Sequence, residues 1–246
     1  MDVLLLRLEA PLMSFGAPIV DRYGKIQPYP ALSMICGLLG NALGYDHAQT
    51  DRLQRLQERL RYGSRRDRPG TRMRDYHTVD LGLPHMDDDL AWTTRGELEK
   101  RKGGKASSGT HIRLRDYWAD AAHTVALTLD PPGESPTIDA VEEALRRPER
   151  PLFIGRKTCL PAAPLLLGRV EAADLREALR RAPLPPDVDS GDRLTAWWPT
   201  EPGTDEPRAA RRPVTDARDW ANQIHVGERW IARGELDLCT KEVDHA

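Results

Sequence analysis

The sequence predicts an α+β fold with a mostly antiparallel sheet, of the ferredoxin-like or RNA-recognition type. The first observation is the order of elements in residues 1–150: strand, helix, helix, strand, polar arm, strand, strand, helix. The second is the segment 123–129, whose apolar residues alternate with other residues as in a strand. The third is composition, because 20 prolines and 19 glycines among 246 residues indicate many turns.

The strands are predicted from short apolar or alternating runs. Residues 3–8 predict a buried strand, which Ala10-Pro11 ends. Residues 14–30 predict a loop, because glycines and prolines recur along them. Residues 71–79 and 112–118 predict strands on either side of a long polar excursion. Its lysine- and glycine-rich tip cannot form a core, so we expect an arm that is mobile or that a partner orders.

The helices are predicted from apolar spacing and end signals. Residues 32–43 and 51–60 each place apolar residues on one helical face. Gly37 and Gly40 disfavour the first helix, but they allow another backbone or a ligand to approach closely. Thr137 is a predicted N-cap for a third helix, which has acidic residues near its start and arginines at its end.

A second, smaller region is predicted beyond residue 150. We expect residues 1–150 to form the main domain, with the arm at about 80–111, and residues 151–246 to form a small β-rich C-terminal region. Within that region the sequence predicts a helix at 173–181, a loose proline-rich stretch at 183–213 and a late strand at 224–232.

Basic residues are concentrated in two stretches, although the formal net charge is only −2. Residues 52–74 contain nine basic and two acidic residues, and residues 95–118 contain seven basic and three acidic residues. Such stretches suit a polyanion groove, and they also suit an arginine-rich solvated surface. Aromatic residues lie among the basic residues of the chain. This arrangement fits the binding of single-stranded RNA, whose bases stack on rings, and it also fits ordinary packing. These aromatic residues are Tyr23, Tyr29, Tyr62, Tyr76, Trp92, Tyr117 and Trp118.

Several function classes lack their motifs. The chain has no dinucleotide fingerprint, P-loop, HExxH motif or nucleophile elbow. Its three cysteines are far apart, so we expect no disulfide framework, and we expect no metal and no cofactor. The apolar run at 3–8 is too short for a membrane span or a signal segment, so we expect a cytoplasmic protein without membrane contact.

Five stretches in order resemble the fifth CRISPR-associated family, the CasD-type subunits of type I-E Cascade. The chain opens with Leu6-Arg7-Leu8-Glu9-Ala10-Pro11-Leu12-Met13-Ser14-Phe15-Gly16. The later stretches are Tyr29-Pro30 with Ser33 and Gly37-Leu38-Leu39-Gly40; Arg74-Asp75-Tyr76-His77-Thr78-Val79; Arg115-Asp116-Tyr117 with Thr124-Val125-Ala126-Leu127; and Phe153-Ile154-Gly155-Arg156-Lys157-Thr158-Cys159 with Pro164-Leu165-Leu166-Leu167-Gly168. Together they cover most of the chain.

The resemblance implies a RAMP domain whose long excursion is the thumb hairpin of the family. It implies a non-catalytic subunit that caps the 5′ handle of CRISPR RNA during antiviral defence. The implied partners are the RNA, the backbone subunits and the large PAM-reading subunit, with target DNA reached only through the complex. Processing of the precursor RNA belongs to a separate subunit in type I-E systems.

Two departures from the family pattern affect these expectations. Ala31-Leu32 stand before Ser33, where the family commonly has Thr or Lys with a basic residue, so the handle contact expected there is either missing or supplied by Arg22 or Lys25. Relatives that cut RNA use a Tyr, Lys and His set with Lys and His adjacent, whereas here Thr110 precedes His111 and Lys105 is distant.

The predicted RNA contacts comprise the helix start near Ser33, its approach, and the arm. We expect the backbone N–H groups of that helix start to face phosphates. The predicted RNA-binding residues are Tyr23, Lys25, Tyr29, Ser33, Arg74, His77, Lys100, Arg101, Lys105, His111, Arg113, Arg115, Arg156 and Lys157. One alternative is a metal-independent endoribonuclease that uses Tyr23, His77 or His111 on CRISPR repeat RNA. Another alternative is a protein scaffold whose basic residues meet acidic partner surfaces.

Overall fold

The chain folds into a mixed α/β structure with antiparallel sheets and four helices in its described part. The computed structural model describes residues 1–17, 22–80, 90–92, 98–100, 110–189, 193–204 and 208–238. The helices are α1 Leu32–Ala42, α2 Thr50–Arg59, α3 Ile138–Arg146 and α4 Leu175–Arg181. The strands are β1 Asp2–Glu9, β2 Leu12–Met13, β3 Tyr23–Gly24, β4 Leu60–Arg68, β5 Thr71–Asp80, β6 Leu90–Trp92, β7 Leu98–Lys100, β8 Thr110–Ala119, β9 Ala122–Leu129, β10 Leu166–Glu171, β11 Leu194–Thr200, β12 Ala210–Val214, β13 Ala217–Asp219, β14 Ile224–Val226 and β15 Arg229–Leu236.

The main sheet has seven antiparallel strands in the order β10-β1-β9-β4-β11-β15-β12. A second sheet is built on β8, which pairs with β5 along ten residues and with the short strands β2 and β3. The β3–β8 pairing is parallel, and the β6–β7 and β13–β14 pairs form small separate ribbons. Strands from both sides of residue 150 therefore belong to one hydrogen-bonded sheet, in which β1, β9 and β4 lie between β10 on one side and β11, β15 and β12 on the other.

Strand β1 is buried on both faces of the main sheet, as its apolar run predicts. Leu4, Leu6 and Leu8 pack with residues of α1, α2 and α3, whereas Val3 and Leu5 pack with α4. Successive side chains of a strand point to opposite faces, so these contacts place the three longer helices on one face and α4 on the other.

Helix α1 packs closely against α2, and its glycines explain how. A Cβ on Gly40 would come within 2.6 Å of Leu53 Cδ2 of α2, so a larger residue there would require the Leu53 side chain to move. At Gly37 a Cβ would lie 3.5 Å from the Trp220 ring, which is an ordinary van der Waals distance. Gly40 thus allows the closer of the two approaches.

The helix predictions are confirmed, but three predictions about strands are wrong. The arginine-rich β4 was not expected to be a strand. The stretch at 183–213, predicted to be loose, contains β11, whose Trp197 and Trp198 are buried. The late strand predicted at 224–232 is two strands, β14 and β15, because Gly227 between them has a φ of +72° and turns the chain. In the described part of the chain, no helix combines the length and apolar character that crossing a membrane requires.

Candidate nucleic-acid interface

A groove of about 650 Å³ runs along α1 and brings together residues from distant parts of the chain. Helix α1 forms one side, and the β13–β14 ribbon and the loops at 14–17 and 150–156 contribute the rest. Its polar and aromatic lining residues are Ser14, Lys25, Ser33, Asn41, Tyr45, His47, Arg150, Phe153, Arg156, Arg218, Trp220, Gln223 and His225. Of the predicted RNA-binding residues, it contains Lys25, Ser33 and Arg156.

The groove is positively charged. Lys25, Arg150, Arg156 and Arg218 line it, and its described lining includes no aspartate or glutamate. Clefts lined by charges of one sign focus the electrostatic field and raise the local concentration of a ligand of the opposite sign. The groove therefore favours an anion, and its small residues leave room for an extended one.

The N-terminus of α1 is capped from within the chain, which corrects one prediction. Asp216 Oδ2 accepts a hydrogen bond from the Leu32 backbone N–H at 3.1 Å, and the Asp216 carbonyl accepts one from Ser33 at 3.0 Å. Arg229 holds the same carboxylate through Nε and Nη2, at 2.6 and 2.7 Å. The expectation that these first N–H groups contact phosphates is wrong, because Asp216 occupies them.

Arg218 and Trp220 form the part of the groove contributed by β13. The backbone of Arg218 exchanges two hydrogen bonds with the Gln57 side chain, at 2.9 and 3.0 Å. Its guanidinium lies 5.5 Å from the centre of the Trp220 ring and donates to Gln223. Burial lowers the pKa of Arg218. Arg218 Nε and Trp220 Nε1 are buried and have no acceptor among the described residues.

Arg156 is fixed by the loop that the Phe153-Ile154-Gly155-Arg156 motif forms. Gly155 has a φ of +92°, and a Cβ there would lie 1.8 Å from the Ser14 carbonyl oxygen, so only glycine fits. Arg156 donates to the carbonyls of Asp116 and Gly24 at 2.8 and 3.2 Å, and it lies 4.6 Å from the centre of the Tyr117 ring. These contacts make Arg156 a positioning residue for the groove wall as well as a source of charge.

The other ends of the groove carry histidines and a fourth cation. Ser33 Oγ lies 3.4 Å from His225 Nε2, and both groups face the groove. Arg150 Nη1 donates to the Tyr45 carbonyl at 2.6 Å, next to exposed His47. His47, Arg150, Arg218 and His225 were absent from the sequence prediction, because they are isolated in sequence and only the fold brings them together.

A second polar surface lies on the sheet built around β8. Tyr23 and Tyr76 both lie opposite Leu114, which puts them on one face of the sheet together with Arg74. Arg74 and Arg72 hold the carboxylate of Asp116, whose pKa these hydrogen bonds lower. Tyr76 is 58% exposed, so its ring is free to stack.

The opposite face of this sheet carries other predicted residues. In the register, His77 lies opposite Arg113 and Asp75 lies opposite Arg115. His77 Nε2 is 2.5 Å from Asp75 Oδ2. Lys157 is exposed in the turn that follows Arg156. Lys100 and His111 are placed on β7 and β8, whereas Arg101 and Lys105 lie outside the described residues.

Tyr29 does not line an open approach to the groove. Its side chain is 1% exposed, and its ring lies 5.6 Å from the Trp197 ring. A buried ring cannot stack on a base, so its predicted role as a direct RNA contact is wrong. Trp118 is likewise anchored, since its indole N–H donates to the Gln27 carbonyl at 2.7 Å.

Two arginines of the basic stretch at 52–74 serve the fold instead of forming a surface. Arg59 is buried and donates to the carbonyls of Pro131, Glu134 and Pro136. Arg65 is buried too, and it pairs with Asp67 at 2.6 Å while it donates to carbonyls at the end of α4. Part of the local excess of positive charge in this stretch is therefore used inside the molecule.

Comparisons with known proteins agree with the resemblance seen in the sequence. The chain is 30% identical over 244 residues to the CRISPR system Cascade subunit CasD of Escherichia coli (strain K12), covering 96% of this chain and 97% of the relative. It matches a solved chain of a CRISPR RNA-guided surveillance complex with a TM-score of 0.69 and 27% identity, covering 96% of this chain and 90% of that one.

Two further findings concern the family itself. A solved structure described as a Cas protein matches with a TM-score of 0.62 and 27% identity, covering 96% of this chain and 95% of that one. The family described as CRISPR-associated protein (Cas_Cas5) matches residues 3–232. The chain belongs to this family of CRISPR-associated proteins.

Proposed function

We propose that this chain is a non-catalytic RNA-binding subunit of a type I-E CRISPR surveillance complex, in which it caps the 5′ handle of the CRISPR RNA. The observation that carries the proposal is the groove along α1, where four cations converge without an acidic residue in the described lining. Cations neutralise phosphates and release counterions, which supplies most of the affinity for a nucleic-acid backbone. The likeness to the CasD subunit gives the ligand its identity.

The groove also has features that suit single-stranded RNA. Tyr45 and Phe153, both half-buried, contribute aromatic surface, and Ser33, Asn41 and Gln223 contribute groups that hydrogen-bond to bases or to a 2′-hydroxyl. Together these groups complement the ring faces and the polar edges of an unpaired nucleotide.

The strands β5 and β8 lead into the proposed thumb hairpin, which comprises residues 80–111. In the proposal, the ferredoxin-like RAMP core holds the handle, while this hairpin and the C-terminal region meet the backbone subunits and the large subunit. Charge reversal of Lys100, Arg101 and Lys105 together is expected to weaken binding of CRISPR RNA. It is also expected to make binding less dependent on salt, because fewer counterions are released.

The test uses the full chain with a labelled repeat RNA in EDTA, on a native gel and on a denaturing gel. We expect a shifted RNA that stays intact. Arg150→Gln and Arg218→Gln are each expected to reduce the slope of log K against log salt by about one, since each removes one phosphate contact. The matched control is Arg181→Gln, because Arg181 lies on α4, on the other side of the main sheet.

Two outcomes contradict the proposal. Equal affinities and salt slopes for the wild type and both groove variants would remove the groove as the RNA site. A discrete cut at the handle boundary that His77→Ala abolishes would make the chain an endoribonuclease. Because EDTA removes divalent metals, such a cut would be metal-independent.

A further inference from the structure

Three arginines form a row across one face of the main sheet, away from the groove. Trp197 of β11 pairs with Arg233 of β15 and, on its other side, with Ser64 of β4. Arg66 lies two residues after Ser64, so its side chain is on the same face. The register of β12 against β15 puts Arg212 on this face as well. We call Arg66, Arg212 and Arg233 the arginine row.

Two of the three guanidinium groups of the row, those of Arg66 and Arg212, rest on a pair of buried rings. Arg66 lies 5.8 Å from the centre of the Trp197 ring, and Arg212 lies 5.6 Å from the centre of the Tyr29 ring. The two rings are 5.6 Å apart and nearly inaccessible to solvent. A guanidinium stacked on a ring keeps the N–H donors along its edge free, so the rings fix the cations without using their donors.

The row has no acidic partner within the described residues. Arg212 Nη2 donates to the Tyr29 hydroxyl at 3.4 Å, which uses one of its five donors. Arg66 and Arg233 make no hydrogen bond or ion pair in this part of the structure, and Arg66 is half-buried. Burial and the neighbouring charge of Arg233 lower the pKa of Arg66, so the two cations repel each other. An anion bound between them would relieve that repulsion.

We propose that the arginine row binds phosphodiester groups of single-stranded RNA, as a second contact for the strand held in the groove. The planar donor fork of arginine matches phosphate oxygens, which favours this ligand. The inference rests on the proposed function for the identity of the RNA. Only three residues separate Lys25 of the groove from Tyr29, whose ring lies under Arg212 of the row, so the Cα atoms of Lys25 and Tyr29 are at most about 14 Å apart. That distance is roughly the rise of four stacked nucleotides.

The experiment measures RNA affinity and melting temperature on the same variants of the full chain. Arg233→Gln and Arg66→Gln are each expected to lower the affinity for a single-stranded repeat RNA about tenfold and to reduce the salt slope by about one. Because Arg233→Gln removes a like-charge repulsion, its melting temperature without RNA is expected to be equal to or above that of the wild type. A purely structural role would lower it.

The matched control is Arg169→Gln on β10, the opposite edge strand of the same sheet. Arg169 is paired with Asp2 and Asp139, so its loss is expected to lower the melting temperature and leave RNA affinity unchanged. Wild-type affinity and slope in Arg66→Gln and Arg233→Gln would overturn the inference. If Arg218→Gln still weakened binding in that case, the proposed function would stand without the second contact.

In another outcome, the row variants weaken RNA binding while Arg150→Gln and Arg218→Gln have no effect. That result would support the arginine row as an RNA contact and refute the groove as one. An intact chain that binds no single-stranded RNA would overturn the inference together with the proposed function. Arg66→Lys tests whether the effect of Arg66→Gln comes from lost packing, since lysine keeps the positive charge. Recovery of the salt slope in that variant supports an electrostatic role.

Discussion

The arginine-rich strand β4 and the groove along α1 use positive charge in opposite ways. Strand β4 carries four arginines in nine residues, but Arg65 is buried against Asp67 and Arg68 is paired with Glu9 and Asp187. The groove takes single cations from four separate places in the sequence and leaves its described lining without an acid. Density of charge along the sequence therefore does not locate an anion site, whereas the absence of acidic partners in the fold does.

The buried pairing around β4 gives the largest expected effect. Asp67 accepts hydrogen bonds from Arg65 and Thr124 and lies 3.6 Å from Arg7 Nε. Asp67→Ala leaves two buried guanidinium groups without their counter-ion, which is expected to cost about 3–5 kcal/mol of unfolding free energy. Urea denaturation at neutral pH measures it.

The control for that prediction is Glu143→Ala, which removes an exposed partner of Arg147. Exposed ion pairs contribute about 0–1 kcal/mol, so a small change is expected. Similar losses for Asp67→Ala and Glu143→Ala would mean that the pairing around β4 is not internal.

Acid pH is expected to weaken the same region through His123. This histidine is fully buried between Phe15 and Trp197, and burial lowers its pKa to about 3. The unfolded chain binds a proton below about pH 6.5 while the folded chain does not until about pH 3. Stability is therefore expected to fall by about 1.4 kcal/mol for each unit of pH below 6.5, down to pH 3.

Denaturation midpoints at pH 7.5 and pH 5 check this dependence, with His123→Gln as the comparison. The variant lacks the titrating group, so its stability should change less between the two pH values. An equal change in both proteins would assign the pH dependence to other groups.

The smallest effect on stability is expected in the groove. Lys25 is exposed and has no ion pair among the described residues, so Lys25→Gln should change the unfolding free energy by less than about 0.5 kcal/mol. The same change should reduce the salt slope of RNA binding by about one. A loss of stability comparable with that of Asp67→Ala would remove the distinction between the two regions.

Local patterns predict the elements of this molecule better than its site. The periodicity of α1, the cap of α3 by Thr137 and the alternation in β9 are local signals, and the structure has all three. The sequence analysis did not predict strand β4, because its arginines suggest a solvated surface. Only hydrogen-bond partners from α4 and β9 make that sequence suitable for the interior of a sheet.

The groove could be predicted only in part for a related reason. Ser33 and Arg156 lie in stretches that resemble a known family, and Lys25 lies shortly before one of them, so a sequence reading reaches all three. Arg150 and Arg218 carry no local signal, since their place depends on contacts with Tyr45 and Gln57 far away in sequence. Tyr29 illustrates the reverse error, because an aromatic residue near basic ones is as suitable for packing as for stacking.

The order of strands in the main sheet has a consequence for protein synthesis. Strand β4 pairs with β11, which leaves the ribosome about 125 residues later. At 5–20 residues per second, one edge of β4 waits roughly 6 to 25 s for its neighbour. Exposed strand edges promote aggregation, and charged side chains oppose it. We therefore expect the arginines of β4 to protect the nascent chain before Arg65 becomes internal.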